Sequence, residues 1–169
     1  MRPKPMVEIG GHPVLWHIMN IYASYGYDDF LIACGYKGEM IKEYFAHFII
    51  HNSDFIVDQR DGSREVISNS SVSWRTGLFD TGMESMTGGR IRRLREWIGN
   101  EPFMVTYGDG VGNIDIGALV DFHRGHGKTA TVTAVHPPSR FGAMVLEDDR
   151  VKEFSEKPQM REGWINGGF

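Results

Sequence analysis

One acidic residue is held between two glycines directly after an apolar segment, in the sequence Gly108-Asp109-Gly110. We expect the preceding residues 103–107 to form a buried strand. In wound α/β sheets ligands bind at the carboxyl ends of strands, where Asp109 would project. Because Mg²⁺ takes one or two protein carboxylates and completes its shell with water and phosphate oxygens, Asp109 is a candidate metal ligand. The alternative is a tight turn that uses Asp for its local hydrogen bonds.

A second candidate is Lys4, which stands between Pro3 and Pro5. Flanking prolines restrict the backbone, so a cation here can be placed accurately beside phosphate groups. The alternative is an ordinary solvated lysine near a chain terminus.

Residues 85–90 place hydroxyls and glycines immediately before a predicted helix whose first turn carries Arg90. Free amides at a helix N-terminus attract phosphate, and a guanidinium adds a bidentate donor. The segment is not a Walker loop, because the Gly-Lys-Ser/Thr ending is absent. A helix cap followed by a solvated arginine is the simpler interpretation.

A fourth candidate is the pair Glu156 and Lys157, with Gly142 before it in the sequence and Gly167 after it. A glutamate beside a lysine can accept hydrogen bonds from sugar hydroxyls and donate to a phosphate, which suits a sugar phosphate. Taken alone, such a pair also fits a surface ion pair at the end of a strand.

The composition is that of an ordinary globular domain of 169 residues, with 41% hydrophobic and 24% charged residues. The formal net charge of -4 argues against a nucleic-acid partner. The single cysteine, Cys34, lies in an apolar run and is expected to be a buried, reduced thiol. No apolar run is long enough to span a bilayer, so we interpret the protein as cytoplasmic, with no membrane partner.

Hydrophobic periodicity predicts an α/β protein in which helices and strands alternate. Helices are predicted at residues 13–25, 39–48, 90–98 and 116–126, the last capped by Asp115. Strands are predicted at residues 30–34, 103–107 and 129–135, short β pieces at 55–57, 65–67 and 72–74, and a hairpin at 143–146 with 151–154. The expected fold is a Rossmann-like wound mixed sheet flanked by helices, with a small β excursion and truncated at both ends.

Several segments together resemble one family, the sugar-1-phosphate nucleotidylyltransferases. They are residues 4–11, 35–38, 80–82 with 87–90, 107–110, 140–142, 156–158 and 166–169. Residues 85–90 and 107–111 are most similar to the cytidylyl branch. The resemblance spans nearly the whole chain and implies one partial catalytic domain over residues 1–169, of the nucleotide-diphospho-sugar transferase type.

The resemblance implies that CTP and α-D-glucose 1-phosphate react to give CDP-glucose and pyrophosphate, by Mg²⁺-dependent in-line displacement without a covalent enzyme intermediate. It also implies a role for each candidate residue. At the nucleotide, Asp109 holds the metal and Lys4 neutralises the phosphates, while Ser85 and Arg90 contact the nucleotide and Gly108 allows its close approach. At the sugar phosphate, Glu156 accepts from glucose hydroxyls, Lys157 binds the phosphate, and Gly142 and Gly167 leave room for the sugar. Members of the family tend to form homo-oligomers, and the implied product feeds the deoxysugars of cell-surface polysaccharides.

Two features of the family have no counterpart in these 169 residues: the opening strand with its Gly-x-Gly-Thr-Arg loop, and a second metal-binding aspartate. We therefore expect the isolated chain to show little or no turnover. Two other interpretations stay open. The chain could come from a related guanylyl- or thymidylyltransferase. It could also be a non-catalytic subunit, with a nucleotide-sugar binding or regulatory role.

Overall fold

A computed structural model describes residues 2–69, 72–136, 143–148, 150–155 and 164–169. The chain divides into two compact units. The first consists of Met1–Phe103 with Gly108–Val111, and the second of Met104–Tyr107 with Gly112–Phe169.

The first unit contains four helices, a short 3-10 turn and six strands among its described residues. In chain order these are the 3-10 turn Lys4–Met6, β1 Glu8–Ile9, β2 His12–Pro13, α1 Val14–Ala23, β3 Asp29–Cys34, α2 Gly38–His51, β4 Ser53–Val57, β5 Arg64–Asn69, β6 Arg75–Asp80, α3 Thr87–Arg93 and α4 Arg95–Ile98.

A parallel strand pair is the main feature of this unit. β3 and β6 run side by side in unbroken register, from Asp29 opposite Arg75 to Cys34 opposite Asp80. Parallel strands need a crossover connection, which here contains α2 and the hairpin of β4 with β5. Because both strands run in the same direction, the residues that follow Cys34 and Asp80 come out at the same edge of the pair.

The core of the first unit forms where α1 and α2 cover this pair. Helix α1 buries side chains that recur along one face, namely Val14, Leu15, Ile18, Met19 and Tyr22. Leu15 and Met19 join Met6, Cys34 and Ile41 in one cluster. Cys34 is 2% exposed, and burial raises the pKa of its thiol, which confirms the expectation of a buried thiol.

The segment before β6 differs from the sequence prediction. Residues 72–74 form no strand, whereas β6 follows directly at Arg75–Asp80. The sequence signal for β6 is weak, since Gly77 lies in its middle and few of its residues are apolar. Pairing with β3, a tertiary interaction, decides where this strand lies.

The second unit contains one helix and four described strands. They are α5 Ile116–His126, β7 Ala134–Val135, β8 Ala143–Glu147, β9 Arg150–Ser155 and β10 Ile165–Asn166. The predicted cap is confirmed, because the Asp115 carboxylate accepts a hydrogen bond from the Ala118 N–H at 2.9 Å. The predicted hairpin is also confirmed, as β8 pairs antiparallel with β9.

Two predicted strands are corrected by the structure. Residues 103–107 are not a strand, and of the predicted strand 129–135 only Ala134–Val135 pairs, with Ile165–Asn166. A strand is defined by a ladder of backbone hydrogen bonds, and apolar content does not provide one. Within the described chain, the backbone of residues 103–107 makes one such bond, from Tyr107 N–H to the Gly168 carbonyl at 3.3 Å.

The α/β class with mixed strands is confirmed, since both parallel and antiparallel pairs occur. The described strands form five two-stranded ladders and not one continuous sheet. Within the described part of the chain, no helix is long and apolar enough to cross a membrane.

Tyr44, on α2, provides a test of the core. Burial, together with the nearby Glu8 carboxylate, raises the pKa of Tyr44 to about 12. Because the pKa of an unfolded tyrosine is about 10, the fold favours the neutral phenol. This contribution to stability is fully present below about pH 10 and is lost as the pH rises through about 12. We expect a late phenolate step in a spectrophotometric titration, with unfolding by denaturant becoming easier over the same range.

Replacing Tyr44 with phenylalanine should remove the late step and flatten the alkaline fall in stability. Tyr36→Phe is the matched control, because it makes the same chemical change at a tyrosine that is 60% exposed. A late step that survives in Tyr44→Phe would contradict the assignment.

Candidate functional site

The structure brings together two of the predicted site residues that lie far apart in the sequence. The Lys4 Nζ atom lies 3.9 Å from the Asp109 Oδ2 atom. Both side chains remain open to solvent, with 86% of Lys4 and 42% of Asp109 exposed. An exposed ion pair of this kind contributes about 0–1 kcal/mol, so it cannot be what holds the two segments together.

Packing of their neighbours explains the close approach. Lys4 begins a 3-10 turn next to Pro5, and a Cβ atom added at Gly108 would lie 3.3 Å from the Pro5 Cγ atom. The same added atom would lie 3.9 Å from a methyl group of Leu15, on α1. Gly108 therefore lets the backbone before Asp109 pack closely on Pro5, which places the carboxylate beside Lys4.

The residues present fit a magnesium ion that is held mainly by other ligands. Asp109 offers one half-exposed carboxylate, and magnesium commonly uses one or two such groups with water and phosphate oxygens for the rest. In the described chain, no group of three or more His, Cys, Asp or Glu side chains converges to form a complete metal site. Asp109 can therefore supply one protein ligand to a metal that arrives with nucleotide phosphates.

Ser85 and Arg90 lie close to each other in the first unit, after the carboxyl end of β6. The Ser85 hydroxyl donates to the Thr81 carbonyl at 2.5 Å. The Arg90 Nη1 atom donates to the Thr81 hydroxyl at 2.6 Å and to the Cys34 carbonyl at 3.1 Å. Arg90 is thus neither the solvated arginine nor the free anion-binding group of the two sequence interpretations, because part of its guanidinium is bonded within the fold.

The helix that follows also differs in detail from the expectation. The predicted helix 90–98 is two consecutive helices, α3 at Thr87–Arg93 and α4 at Arg95–Ile98. Met86 precedes α3 and makes no side-chain cap. Helix α3 begins at Thr87, three residues before the predicted start at residue 90.

Gly167, the one described member of the predicted sugar-phosphate set, lies in the second unit. Its N–H donates to the Thr133 carbonyl at 2.8 Å, and an added Cβ atom would lie 2.9 Å from a Val135 methyl group. The absence of a side chain is therefore needed for close contact between the chain end and residues 133–135. Gly142, Glu156 and Lys157 lie outside the described residues.

Two residues of the first unit escaped the sequence analysis as site candidates. Thr81 is the one buried polar side chain of the described chain, at 1% exposure, and it bonds to both Ser85 and Arg90. Gly35 lies against Arg90, because an added Cβ atom would be 2.5 Å from two of its guanidinium nitrogens. Both follow strands, at the same edge of the β3 and β6 pair, and both lie in segments that carry the family resemblance, which assigned them no role.

The chain is similar to known proteins of one family. A profile described as nucleotidyl transferase matches residues 1–169. Glucose-1-phosphate cytidylyltransferase of Salmonella typhi is 51% identical over 170 residues, covering 100% of this chain and 66% of that protein. Probable glucose-1-phosphate cytidylyltransferase of Bacillus subtilis is 42% identical over 167 residues, with 99% and 65% covered.

A more distant relative is mannose-1-phosphate guanylyltransferase 1 of Arabidopsis thaliana, 27% identical over 175 residues, with 99% of this chain and 43% of that protein covered. The chain thus spans about two thirds of the length of its bacterial relatives, 66% and 65%. Because the family profile matches residues 1–169, the chain belongs to the nucleotidyl transferase family.

Proposed function

We propose that this chain is part of a glucose-1-phosphate cytidylyltransferase, which transfers the cytidylyl group of CTP to α-D-glucose 1-phosphate. The observation that supports it most is the close approach of Lys4 to Asp109, a cation and a candidate metal-binding carboxylate at 3.9 Å. The 51% identity to a relative of that name supports the choice of nucleotide and sugar.

In the proposed reaction, a phosphate oxygen of glucose 1-phosphate attacks the α-phosphorus of CTP. A bond forms between that oxygen and the phosphorus, and the bond from the phosphorus to the bridging oxygen of pyrophosphate breaks. The products are CDP-glucose and pyrophosphate. Little covalent chemistry is required of the protein, so catalysis depends on positioning the two phosphates and neutralising their charge.

Two residues of this chain would neutralise the charge of the phosphates. Asp109 would hold Mg²⁺, which when bound neutralises charge on the nucleotide phosphates. Lys4, whose side chain is 86% exposed beside Asp109, would place its ammonium against the same phosphates. Since its ion pair with Asp109 is weak, exchanging the carboxylate for a phosphate is readily achieved.

Ser85 and Arg90 would contact the nucleotide. A guanidinium has five N–H donors, and three of those of Arg90 are engaged, with Thr81, Cys34 and the Met83 carbonyl. Among the described residues no partner engages the other two donors, which can therefore serve a ligand. The Ser85 hydroxyl proton is engaged with Thr81, so its oxygen is free to accept a hydrogen bond.

For the sugar phosphate we retain the roles implied by the family resemblance. Glu156 would accept from glucose hydroxyls, Lys157 would bind the phosphate, and Gly142 and Gly167 would leave room for the ring. Assembly into a homo-oligomer and a cytoplasmic location also stay predictions.

A substrate panel tests the proposal. Full-length protein is assayed for pyrophosphate release with CTP, dTTP, GTP, UTP or ATP, each with glucose 1-phosphate or mannose 1-phosphate, in the presence of Mg²⁺. We expect the highest kcat/KM with CTP and glucose 1-phosphate. Faster turnover with GTP and mannose 1-phosphate would replace the proposal with a guanylyltransferase, and nucleotide-sugar binding without turnover would replace it with a non-catalytic subunit.

Asp109→Asn in the full-length protein tests the metal ligand. A neutral amide binds Mg²⁺ poorly, and charge stabilisation by a metal is worth several kcal/mol, so we expect kcat/KM to fall by roughly a hundredfold or more. Because the Asp109 side chain is 42% exposed, the thermal unfolding midpoint should change little.

Asp121→Asn is the matched control, since Asp121 is an exposed acid on α5 and the same chemical change there should leave turnover intact. Activity of Asp109→Asn close to that of Asp121→Asn would refute the metal role.

A further inference from the structure

Thr81 links the carboxyl ends of the two parallel strands. It follows β6 directly, and both its N–H and its hydroxyl donate to the carbonyl of Cys34, the last residue of β3, at 2.9 and 2.8 Å. The residue is 1% exposed. A buried hydroxyl has to be hydrogen-bonded, and this one bridges two strands that are far apart in the sequence.

The same hydroxyl also accepts a hydrogen bond from Arg90. The bond from Nη1 is 2.6 Å long, shorter than the bond from the same atom to the Cys34 carbonyl at 3.1 Å. A hydrogen bond from a charged donor is about twice as strong as a neutral one. Of the three hydrogen bonds that the Arg90 guanidinium makes with described residues, the one to the Thr81 hydroxyl is the shortest.

Gly35 supplies the space for this guanidinium. A Cβ atom there would lie 2.5 Å from each of the two Nη atoms and 2.8 Å from Cζ. The Gly35 backbone is not in the left-handed region, so alanine could adopt its conformation. The atoms that would clash are the far end of a flexible side chain, and alanine would displace them without forcing the backbone to move.

The Thr81 carbonyl fixes the rest of the loop. It accepts from the Ser85 hydroxyl at 2.5 Å and from Arg93 Nη1 at 2.7 Å. One buried residue thus holds, through its hydroxyl and its carbonyl, both side chains that would contact the nucleotide.

We propose that Thr81, with Gly35, is a positioning residue for nucleotide binding, which seats the Arg90 guanidinium so that the two N–H donors not engaged with described residues meet the nucleotide in a fixed geometry. This inference rests on the proposed function for the identity of the ligand. Preorganisation of this kind improves binding because the side chain does not have to be ordered when the ligand arrives.

Thr81→Val in the full-length protein removes the hydroxyl while keeping the shape of the side chain. We expect the KM for CTP to rise by roughly three- to tenfold, the change that loss of the hydrogen bond to Arg90 implies, with kcat little altered. Loss of binding shared by ground state and transition state raises KM alone, whereas a purely structural defect lowers the amount of active protein and hence the apparent kcat.

Three further variants make the test specific. Thr81→Ser keeps the hydroxyl and should restore the wild-type KM. Thr76→Val is the same chemical change on β6, at a residue for which the described chain shows no side-chain hydrogen bond, and should have no effect on KM. Gly35→Ala should raise the KM for CTP as Thr81→Val does, which keeps the test open if Thr81→Val does not fold.

The Arg90→Ala background shows whether Thr81 acts through Arg90. If it does, adding Thr81→Val to Arg90→Ala should raise the KM little further, because the two changes remove the same interaction. Full additivity, an unchanged KM in both Thr81→Val and Gly35→Ala, or failure of Thr81→Ser to restore the KM would each overturn the proposal.

A measurement without substrate separates this inference from the proposed function. Amide hydrogen exchange of residues 82–90 should be faster in Thr81→Val than in wild type or Thr76→Val, because the hydrogen bond between the Thr81 hydroxyl and Arg90, which ties the end of this segment to the strand pair, is lost while the Thr81 carbonyl stays in place. If the wild type does not use CTP, the proposed function fails, and the exchange comparison still decides whether Thr81 holds the loop. Unchanged exchange in Thr81→Val would overturn the positioning role.

Discussion

Parallel pairing of β3 with β6 is the interaction on which the described first unit depends most. It brings Cys34 and Thr81 together at one edge, although the crossover between their strands contains a helix and a hairpin. Helices α1 and α2 bury apolar side chains next to the pair, and each fully buried side chain of this kind contributes about 1.5–3 kcal/mol. Within the first unit, this ladder positions the loops that follow the two strands.

The loop after β6 shows how a rigid pair can position a mobile type of side chain. Arginine has many rotamers, and holding one in place lowers its conformational entropy before any ligand binds. Here the hydroxyl of Thr81, the carbonyl of Cys34 and the space above Gly35 select one arrangement of Arg90. The Cys34 carbonyl belongs to the backbone and the Thr81 side chain is buried, so both groups are held in place by the fold.

The Lys4 and Asp109 pair is positioned by a different principle. Its electrostatic attraction is weak because both side chains are exposed, and the close packing of Gly108 on Pro5 sets the distance. A cation and a carboxylate held near each other by their neighbours, and only weakly by each other, are not committed to one ion pair, and the proposed function requires this of them.

Local sequence determined helices α1, α2 and α5, the Asp115 cap and the hairpin of β8 and β9, because periodicity and short motifs act within a few residues. Local motifs also identified Lys4, Ser85, Arg90 and Asp109 as candidate site residues. Strand pairing involves residues far apart in the chain, and this is why residues 103–107 were predicted as a strand and β6 was missed. Only the tertiary structure decided that Asp109 lies beside Lys4, and that Arg90 is seated on Thr81 and Gly35. Those contacts depend on which backbones pack closely, and no local pattern of residue types encodes that.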